Sequence, residues 1–115
     1  MQGGEYVYKK AKIKKIIDCN SIVFIFDLGF GVECSVFTKL LNVKAQEISG
    51  EERQEELQVL RLIESFLFKN KDRDITVKTS RRDSVYFSDV YIDDIHLNAL
   101  VNSWSKEARL IFSID

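Results

Sequence analysis

Three runs of strand-forming residues follow one another between residues 6 and 42, and this succession constrains the fold more than any other feature of the sequence. The runs span 6–17, 21–27 and 32–42. A polar corner at 18–21 (Asp-Cys-Asn-Ser) and a glycine-marked segment at 28–31 (Leu-Gly-Phe-Gly) separate them, and both are typical of tight connections between neighbouring strands. The sequence therefore predicts a three-stranded meander.

The first run predicts a strand with two chemically different faces, because side chains alternate between the two sides of a strand. The odd-numbered residues Val7, Ala11 and Ile13 lie on one side, and the even-numbered residues Lys10, Lys12 and Lys14 lie on the other. We expect the apolar side to face the core. The lysine side is more often a solvated surface than a track for phosphates.

A long helix over 50–69 is predicted by its start, its apolar spacing and its end. Ser49 followed by Glu52 has the pattern of a capping box, and Asn70 is a suitable residue for the C-terminal cap. Apolar residues recur at helical spacing between them and predict a face that packs on the sheet. These residues are Leu57, Val59, Leu60, Ile63, Phe66 and Leu67.

The rest of the chain predicts two more strands and a short helix. Segments 75–79 and 85–92 are rich in strand-forming residues and flank a charged loop at 80–84. Asn98 can cap a short helix, and the tail 108–114 is a candidate for an extra strand. The apolar residues of the short helix are Leu100, Val101 and Trp104.

A meander, a helix and two further strands are the order of a five-stranded OB-fold barrel. The predicted fold is therefore mainly β (α+β), with one long and one short helix. The length of 115 residues suits a single domain over 1–115, and only residues 1–4 are expected to be disordered. OB-fold barrels often bind oligonucleotides on an exposed face, although fold class alone does not determine function.

Composition narrows the function classes. Hydrophobic and charged fractions of 45% and 30% are those of a soluble globular protein, and the longest apolar run, 22–26, is far below the ~20 residues of a membrane helix. We expect a cytoplasmic protein without membrane contact. A net charge of −1 provides no general attraction to nucleic acid, so such binding requires a local patch. Cys19 and Cys34 are expected to be reduced thiols, and His96 a strand-surface residue rather than a metal ligand.

Two segments in the first forty residues resemble the staphylococcal-nuclease-like (thermonuclease) family. They are 8–18 (Tyr-Lys-Lys-Ala-Lys-Ile-Lys-Lys-Ile-Ile-Asp) and 26–31 (Phe-Asp-Leu-Gly-Phe-Gly). The order of predicted elements resembles that of the family through about Trp104. The resemblance implies the same barrel and a site that, in the family, hydrolyses DNA and RNA. That site uses one Ca²⁺ held by two carboxylates and a backbone carbonyl, two arginines that clamp the phosphate, and a glutamate base.

The calcium positions implied by the resemblance are altered here. The family motif Asp-Gly-Asp-Thr is matched by Asp18 and the three residues after it, so that neutral Asn20 stands at the second carboxylate position. In the second motif Lys44 replaces the other metal-binding carboxylate. Because an ammonium group repels a divalent cation, the resemblance predicts that the calcium site is lost, and we expect no metal and no cofactor.

The catalytic positions are also only partly kept. Lys39 replaces the first phosphate-clamping arginine, Val85 replaces the second, and Glu47 alone matches the catalytic set, as a vestigial base. A glutamate without a metal to polarise the phosphate is a poor hydrolase. The resemblance therefore predicts a pseudoenzyme.

Basic side chains remain around these positions and are predicted to converge on one metal-free cleft for nucleic acid, a nucleotide or another phosphate-bearing ligand. They are Lys39, Lys44, Arg81 and Arg82. The alternative is that these are solvated surface charges paired with nearby carboxylates. Three aromatic residues that follow Arg82 in the chain can stack on bases or pack in the core. They are Tyr86, Phe87 and Tyr91.

Three functions stay open from the sequence. The first is metal-free binding of nucleic acid or a nucleotide by an inactive nuclease-like domain. The second is a protein-interaction or accessory module of the phage or mobile-element kind, which the near-neutral charge favours. The third is a divergent nuclease in which Arg82 takes the place left by Val85.

Overall fold

Strands dominate the computed structural model, which describes residues 5–43 and 53–112. Within these residues the elements are, in chain order, β1 (Tyr6–Tyr8), β2 (Lys12–Asp18), β3 (Ser21–Gly29), β4 (Val32–Leu40), α1 (Arg53–Lys69), β5 (Ile75–Arg82), β6 (Val85–Ile92), β7 (Ile95–His96) and α2 (Leu97–Phe112). The prediction of an α+β chain with more strand than helix is confirmed.

All described strands belong to one sheet with the order β1-β5-β6-β4-β3-β2, and β7 pairs with β6. Every pairing is antiparallel except that of β4 with β6, which is parallel and joins only Lys39 to Phe87 and Leu40 to Ser88. The described residues thus form seven strands, not five, and the sheet is not closed, since β1 and β2 lie at its two ends. The predicted meander corresponds to β2, β3 and β4.

The predicted first strand, 6–17, is broken in the structure at residues 9–11. Lys10 has a left-handed φ of 58°, and Ala11 N donates a hydrogen bond of 2.8 Å to Ile75 O. The break occurs because β1 pairs with β5 whereas β2 pairs with β3. The single alternation predicted across this segment is therefore wrong at Val7, which is half exposed, although Ala11 is buried as expected.

The turn between β3 and β4 lies where the sequence predicts it. Phe30 and Gly31 join β3 to β4 with φ values of 54° and 73°, the two left-handed residues of a type I′ hairpin turn. The charged loop predicted at 80–84 is shorter, because β5 continues to Arg82 and only residues 83–84 form the turn. β6 has the predicted bounds.

The core lies between the helices and one face of the sheet. The strands contribute fully buried side chains from this face, among them Ile22, Phe24 and Val90. Residues of both helices complete the core cluster. The helical core residues are Val59, Ile63, Leu97, Val101 and Ala108. The other face of the sheet carries the more exposed side chains of β3, β4 and β6.

Helix α1 ends as predicted. Asn70 donates hydrogen bonds from both its backbone N (3.1 Å) and its Nδ2 (2.8 Å) to Phe66 O, so its side chain caps the C-terminus. The predicted capping box, Ser49 to Glu52, lies outside the described residues. Within the apolar stripe Ile63 is buried, whereas Leu57 is 44% exposed, so the prediction that Leu57 packs in the core is wrong.

Helix α2 is longer than predicted. It continues to Phe112, so the extra strand expected in the tail from residue 108 is wrong over 108–112, and residues 113–115 lie outside the described residues. Val101 and Ala108 are buried, and Trp104 packs edge-on against Phe66 of α1 with ring centroids 5.9 Å apart. Packing of this apolar stripe on α1 overrides the strand preference of the tail.

Asn98 is a buried hydrogen-bonding bridge within α2 rather than its N-terminal cap. Its Oδ1 accepts a bond of 2.9 Å from Val90 N. Its Nδ2 donates bonds of 2.9 Å to Ser88 O and to Leu41 O. The single side chain thus ties α2 to β6 and to the exit of β4.

Replacing Asn98 by Ala is expected to lower the free energy of unfolding by about 3 kcal/mol, because Val90 N, Ser88 O and Leu41 O each lose a hydrogen bond to its side chain. Asn102→Ala, on the same helix, removes a more exposed bond to Asn42 O and is expected to cost about 1 kcal/mol or less. Urea unfolding followed by circular dichroism measures both. Equal losses in the two variants would contradict the bridging role of Asn98.

Candidate functional site

The polar corner between β2 and β3 satisfies its own polar groups. Asn20 N donates a hydrogen bond of 2.9 Å to Asp18 Oδ1, and Ser21 Oγ donates one of 3.1 Å to Asn20 Oδ1. Leu40 N donates a bond of 2.7 Å to Asn20 O, which joins the corner to the end of β4. The side chains of Asp18 and Asn20, which the resemblance assigns to metal positions, therefore both take part in the turn.

Two carboxylates influence the buried thiol at this corner. Cys19 is buried at its centre, and burial raises the pKa of its thiol to about 11, with further contributions from the carboxylates of Glu56 and Asp18. Both carboxylates therefore act on the corner. Lys44, on which the predicted change of charge depends, and Glu47, the predicted vestigial base, both lie outside the described residues. Among those described, no group of three or more His, Cys, Asp or Glu side chains is placed to hold a metal ion.

Lys39 connects the corner to the second half of the sheet. It lies directly opposite Ser21 on β3 and opposite Phe87 on β6, and its side chain is exposed. Residues opposite each other on neighbouring strands point to the same face, so Lys39 and Phe87 share the outer face. Two positions that the resemblance assigns to the phosphate clamp, Lys39 and Val85, line the same cavity.

Arg81 and Arg82 point to opposite faces, because they are neighbours on one strand. Arg82 is opposite Val85, and its Cζ lies 5.6 Å from the centroid of the Phe87 ring. Arg81 is opposite Tyr86, with its Cζ 5.7 Å from that ring, and its Nε donates a hydrogen bond of 3.1 Å to Asp83 O. The structure therefore brings Arg82 to the face of Lys39 but not Arg81.

Two further side chains on this face are not among the predicted site residues. Phe37 is 47% exposed and lies two residues before Lys39 on β4. Across the sheet Phe37 is opposite Val23, which is opposite Lys15 on β2. Alternation along β4 would have placed Phe37 beside Lys39. We call this surface the basic-aromatic face; its residues are Lys15, Phe37, Lys39, Arg82 and Phe87.

Most of the lysines predicted on the first strand have local partners. Lys12 Nζ is 3.9 Å from Glu33 Oε2, with both side chains largely exposed, and Lys14 Nζ donates a bond of 3.4 Å to Ser35 Oγ. An exposed ion pair of this kind contributes little to stability. These residues extend the basic-aromatic face along β2, but Glu33 reduces its positive charge at that end.

His96 and Tyr91 form a separate cluster farther along β6. Their rings stack with centroids 4.7 Å apart, and His96 Nε2 is hydrogen-bonded to Asp89 Oδ1. Lys78 Nζ lies 5.2 Å from the Tyr91 ring centroid. The prediction that His96 is a strand residue near the surface is confirmed. Because Tyr91 already stacks on His96, it is a poorer candidate for contact with a base than Phe37 or Phe87.

A cavity of about 600 Å³ opens where β4 and β6 separate beyond their short parallel pairing. Its apolar wall includes Tyr8 and Phe26, whose rings stack with centroids 4.1 Å apart. Leu28 and Cys34 line it on the hairpin side, and Tyr86 lines it on the side of β6. The cavity is continuous with the basic-aromatic face through Lys39.

Comparisons of the chain with protein-family models, with curated proteins and with solved structures gave no significant match. Neither of the two described helices is long and apolar enough to cross a membrane.

The two thiols are expected to differ strongly in reactivity. Cys34 is exposed, whereas Cys19 is buried and has a raised pKa, so little of it is thiolate, the reactive form, at pH 8. Titration of the native protein with a disulfide reagent at pH 8 should modify one thiol per chain rapidly and the second only after denaturation. The Cys34→Ser variant should show no rapid phase; a rapid phase in that variant would contradict the burial of Cys19.

Proposed function

We propose that this chain is a catalytically inactive, staphylococcal-nuclease-like protein that binds nucleic acid, or another phosphate-bearing ligand, without a metal. The observation that carries the proposal is the placement of Lys39 and Arg82 on one face of the sheet, on either side of Phe87. Exposed Phe37 extends this arrangement toward Lys15. Cations and aromatic rings thus alternate across neighbouring strands.

The chemistry of the basic-aromatic face suits a single-stranded nucleic acid. Lysine and arginine neutralise backbone phosphates, and this electrostatic contribution needs only a local patch when the net charge is −1. Exposed aromatic rings provide surfaces on which unpaired bases stack, at ~1–3 kcal/mol per base. The spacing of adjacent strands, ~4.8 Å, lets one backbone segment contact side chains from several strands at once.

The strand order suits an open sheet of the OB type, and the described sheet is not closed. The segment 6–18 supplies both ends of that sheet, because β1 pairs with β5 and β2 pairs with β3. The break at residues 9–11 lets the two parts diverge, as in a partly open barrel. The meander, the helix and the final antiparallel pair of β5 and β6 follow in the corresponding order.

Two juxtapositions support the correspondence with the nuclease family. The corner that contains Asp18 and Asn20 adjoins β4 beside Lys39, and Lys39 lines one cavity with Val85. Arg82 lies directly opposite Val85 on the same face. Arg82 is therefore suited to supply the positive charge that Val85 does not.

The same substitutions argue against hydrolysis. Asn20 contributes an amide in place of a carboxylate, and Lys44 contributes a cation in place of the other. A phosphodiester nuclease of this type needs a metal ion to stabilise the charge that develops on the phosphate. The remaining Glu47 has no such partner in this scheme, and binding without turnover is the function that fits.

Binding to a short single-stranded oligonucleotide is expected to weaken with salt. The slope of log K against log salt should fall in magnitude by about 1.4 in the Lys39→Ala/Arg82→Ala variant, because each lost phosphate contact removes ~0.7 for single strands. Fluorescence anisotropy between low and physiological salt measures the slope. Phe37→Ser should weaken binding at every salt concentration without changing the slope, since stacking releases no counterions.

Lys106→Ala is a matched control, since it removes an exposed cation from α2, a helix that packs against the core rather than forming part of this face. It should leave both affinity and slope unchanged. The proposal is wrong if the native chain shows no binding in low salt, or if the control variant weakens binding as much as the double variant does. Lys44→Glu tests the contribution of the segment outside the described residues.

Incubation of DNA and RNA with the protein is expected to give no cleavage in the presence of Ca²⁺, Mg²⁺ or Mn²⁺. Gel electrophoresis of a labelled substrate checks this directly. Cleavage that disappears in Glu47→Gln would instead identify a divergent nuclease, and Arg82→Ala would then show whether Arg82 replaces the missing arginine. Cleavage that persists in Glu47→Gln would indicate a contaminating enzyme.

A further inference from the structure

The tip of the β3–β4 hairpin exposes apolar side chains without any visible benefit to this fold. Phe30 is fully exposed, and Leu28 and Val32 are each 52% exposed. Phe30 also has a φ of 54°, in a turn position that favours Asn, Asp or Gly. A bulky residue with positive φ and no packing partner is an outlier that points to a role outside the isolated chain.

The cavity beside the hairpin has the complementary character. Its wall is largely apolar and aromatic, with Tyr8, Phe26, Val36 and Tyr86 among its lining residues. It is open to solvent where β4 and β6 separate. Leu28 belongs both to the hairpin tip and to the cavity wall, so the protruding and the concave surface adjoin on one molecule.

The charges around the two surfaces are opposite in sign. Asp27 and Glu33 face each other across the base of the hairpin and are both exposed; Glu33 also lies 3.9 Å from Lys12 Nζ in a solvent-exposed ion pair, whereas Asp27 has no such cation in the described residues. The cavity is bordered by Lys39, which lines it, and by Arg81, whose guanidinium lies against Tyr86. An apolar tip with acidic shoulders therefore matches an apolar cavity with a basic rim, and both are present in every copy of the chain.

We propose that the chain forms a two-fold dimer in which the hairpin tip of each copy, with Phe30 at its apex, enters the cavity of the other. A two-fold axis beside Leu28 relates each tip to the partner's cavity, which is the reciprocal contact of an isologous interface. Asp27 and Glu33 of each copy then approach the partner's basic rim. Complementary charges of this kind fix the orientation of the two copies.

The acidic shoulders also distinguish this partner from a lipid surface. An apolar hairpin that enters an anionic membrane is normally flanked by lysine and arginine, whereas the first charged residues along both strands from this tip are the carboxylates of Asp27 and Glu33. A second copy of the chain presents the basic rim that those carboxylates require. The proposal concerns association of the protein with itself and does not depend on nucleic-acid binding.

Sedimentation velocity over a range of protein concentrations tests the dimer. The apparent mass of the native chain is expected to rise with concentration from the 13.4 kDa of a monomer toward twice that mass. Phe30→Ser should raise the dimer dissociation constant by about tenfold or more, because it removes a central aromatic anchor. Phe30→Leu should retain most of the association. Phe68→Ser is the matched control, since Phe68 is also an exposed phenylalanine, on α1.

A cysteine pair tests the arrangement itself. Cys34 is an exposed free thiol that lines the cavity, so Phe30→Cys should form disulfide-linked dimers under mild oxidation, seen on non-reducing gels. Removal of the cavity thiol in Phe30→Cys/Cys34→Ser should abolish most of the cross-linking. Equal cross-linking in both variants would mean that tip meets tip, and would overturn the proposed arrangement.

Three other results would overturn the proposal. They are a native chain that stays monomeric at all concentrations, a dimer that Phe30→Ser leaves unchanged, and a monomer in solution that binds phosphatidylserine vesicles through Phe30. Circular dichroism of Phe30→Ser should match that of the native chain, because Phe30 is fully exposed. Oligonucleotide affinity measured on the same variant separates this proposal from the proposed function.

Discussion

The parallel pairing of β4 with β6 is the junction on which the rest of the structure depends. It consists of two registered residue pairs, yet it joins the meander of β2, β3 and β4 to the second half of the sheet. Buried polar groups reinforce it: Thr38 Oγ1 and Ser88 Oγ are 2.8 Å apart, and Asn98 bonds to both sides of the junction. A short backbone ladder is thus supplemented by side chains that cannot be left unpaired in the core without cost.

This junction also decides what the surface presents. Because Lys39 is the residue that pairs with Phe87, the face that carries Lys15 and Phe37 on the meander becomes continuous with Arg82 on β5. Beyond the two pairs the strands separate, and the cavity opens beside the same lysine. The proposed binding face and the proposed dimer contact therefore arise from one structural cause, the limited length of the parallel pairing.

The two proposals use different kinds of surface. The basic-aromatic face is shallow and charged, which suits a flexible polyanion held by phosphate contacts and stacking. The hairpin tip and the cavity are apolar and differ in shape, which suits a protein contact of defined geometry. Since Lys39 borders both surfaces, the proposed dimer contact and the proposed nucleic-acid site are adjacent on the molecule. A nucleic acid bound to one copy would therefore lie at a defined distance from the second copy.

Sequence alone determined the features that depend on local periodicity and turn chemistry. The bounds of β6, the turn at Phe30 and Gly31, and the cap of α1 by Asn70 all follow from residues close in the chain. The pairing of strands in the sheet decided other features. It caused the break at residues 9–11 and placed Phe37 beside Lys39 on one face. It also extended β5 through the predicted loop, so that Arg81 and Arg82 point in opposite directions. The tail from residue 108 continues the helix because Val101 and Ala108 are buried in the core and Trp104 contacts Phe66 of α1. Asn98 became a bridge because β4 and β6 meet beside it. These features depend on contacts between residues far apart in the chain. Local preference cannot specify such contacts, because they stabilise the fold only once the distant segments have come together.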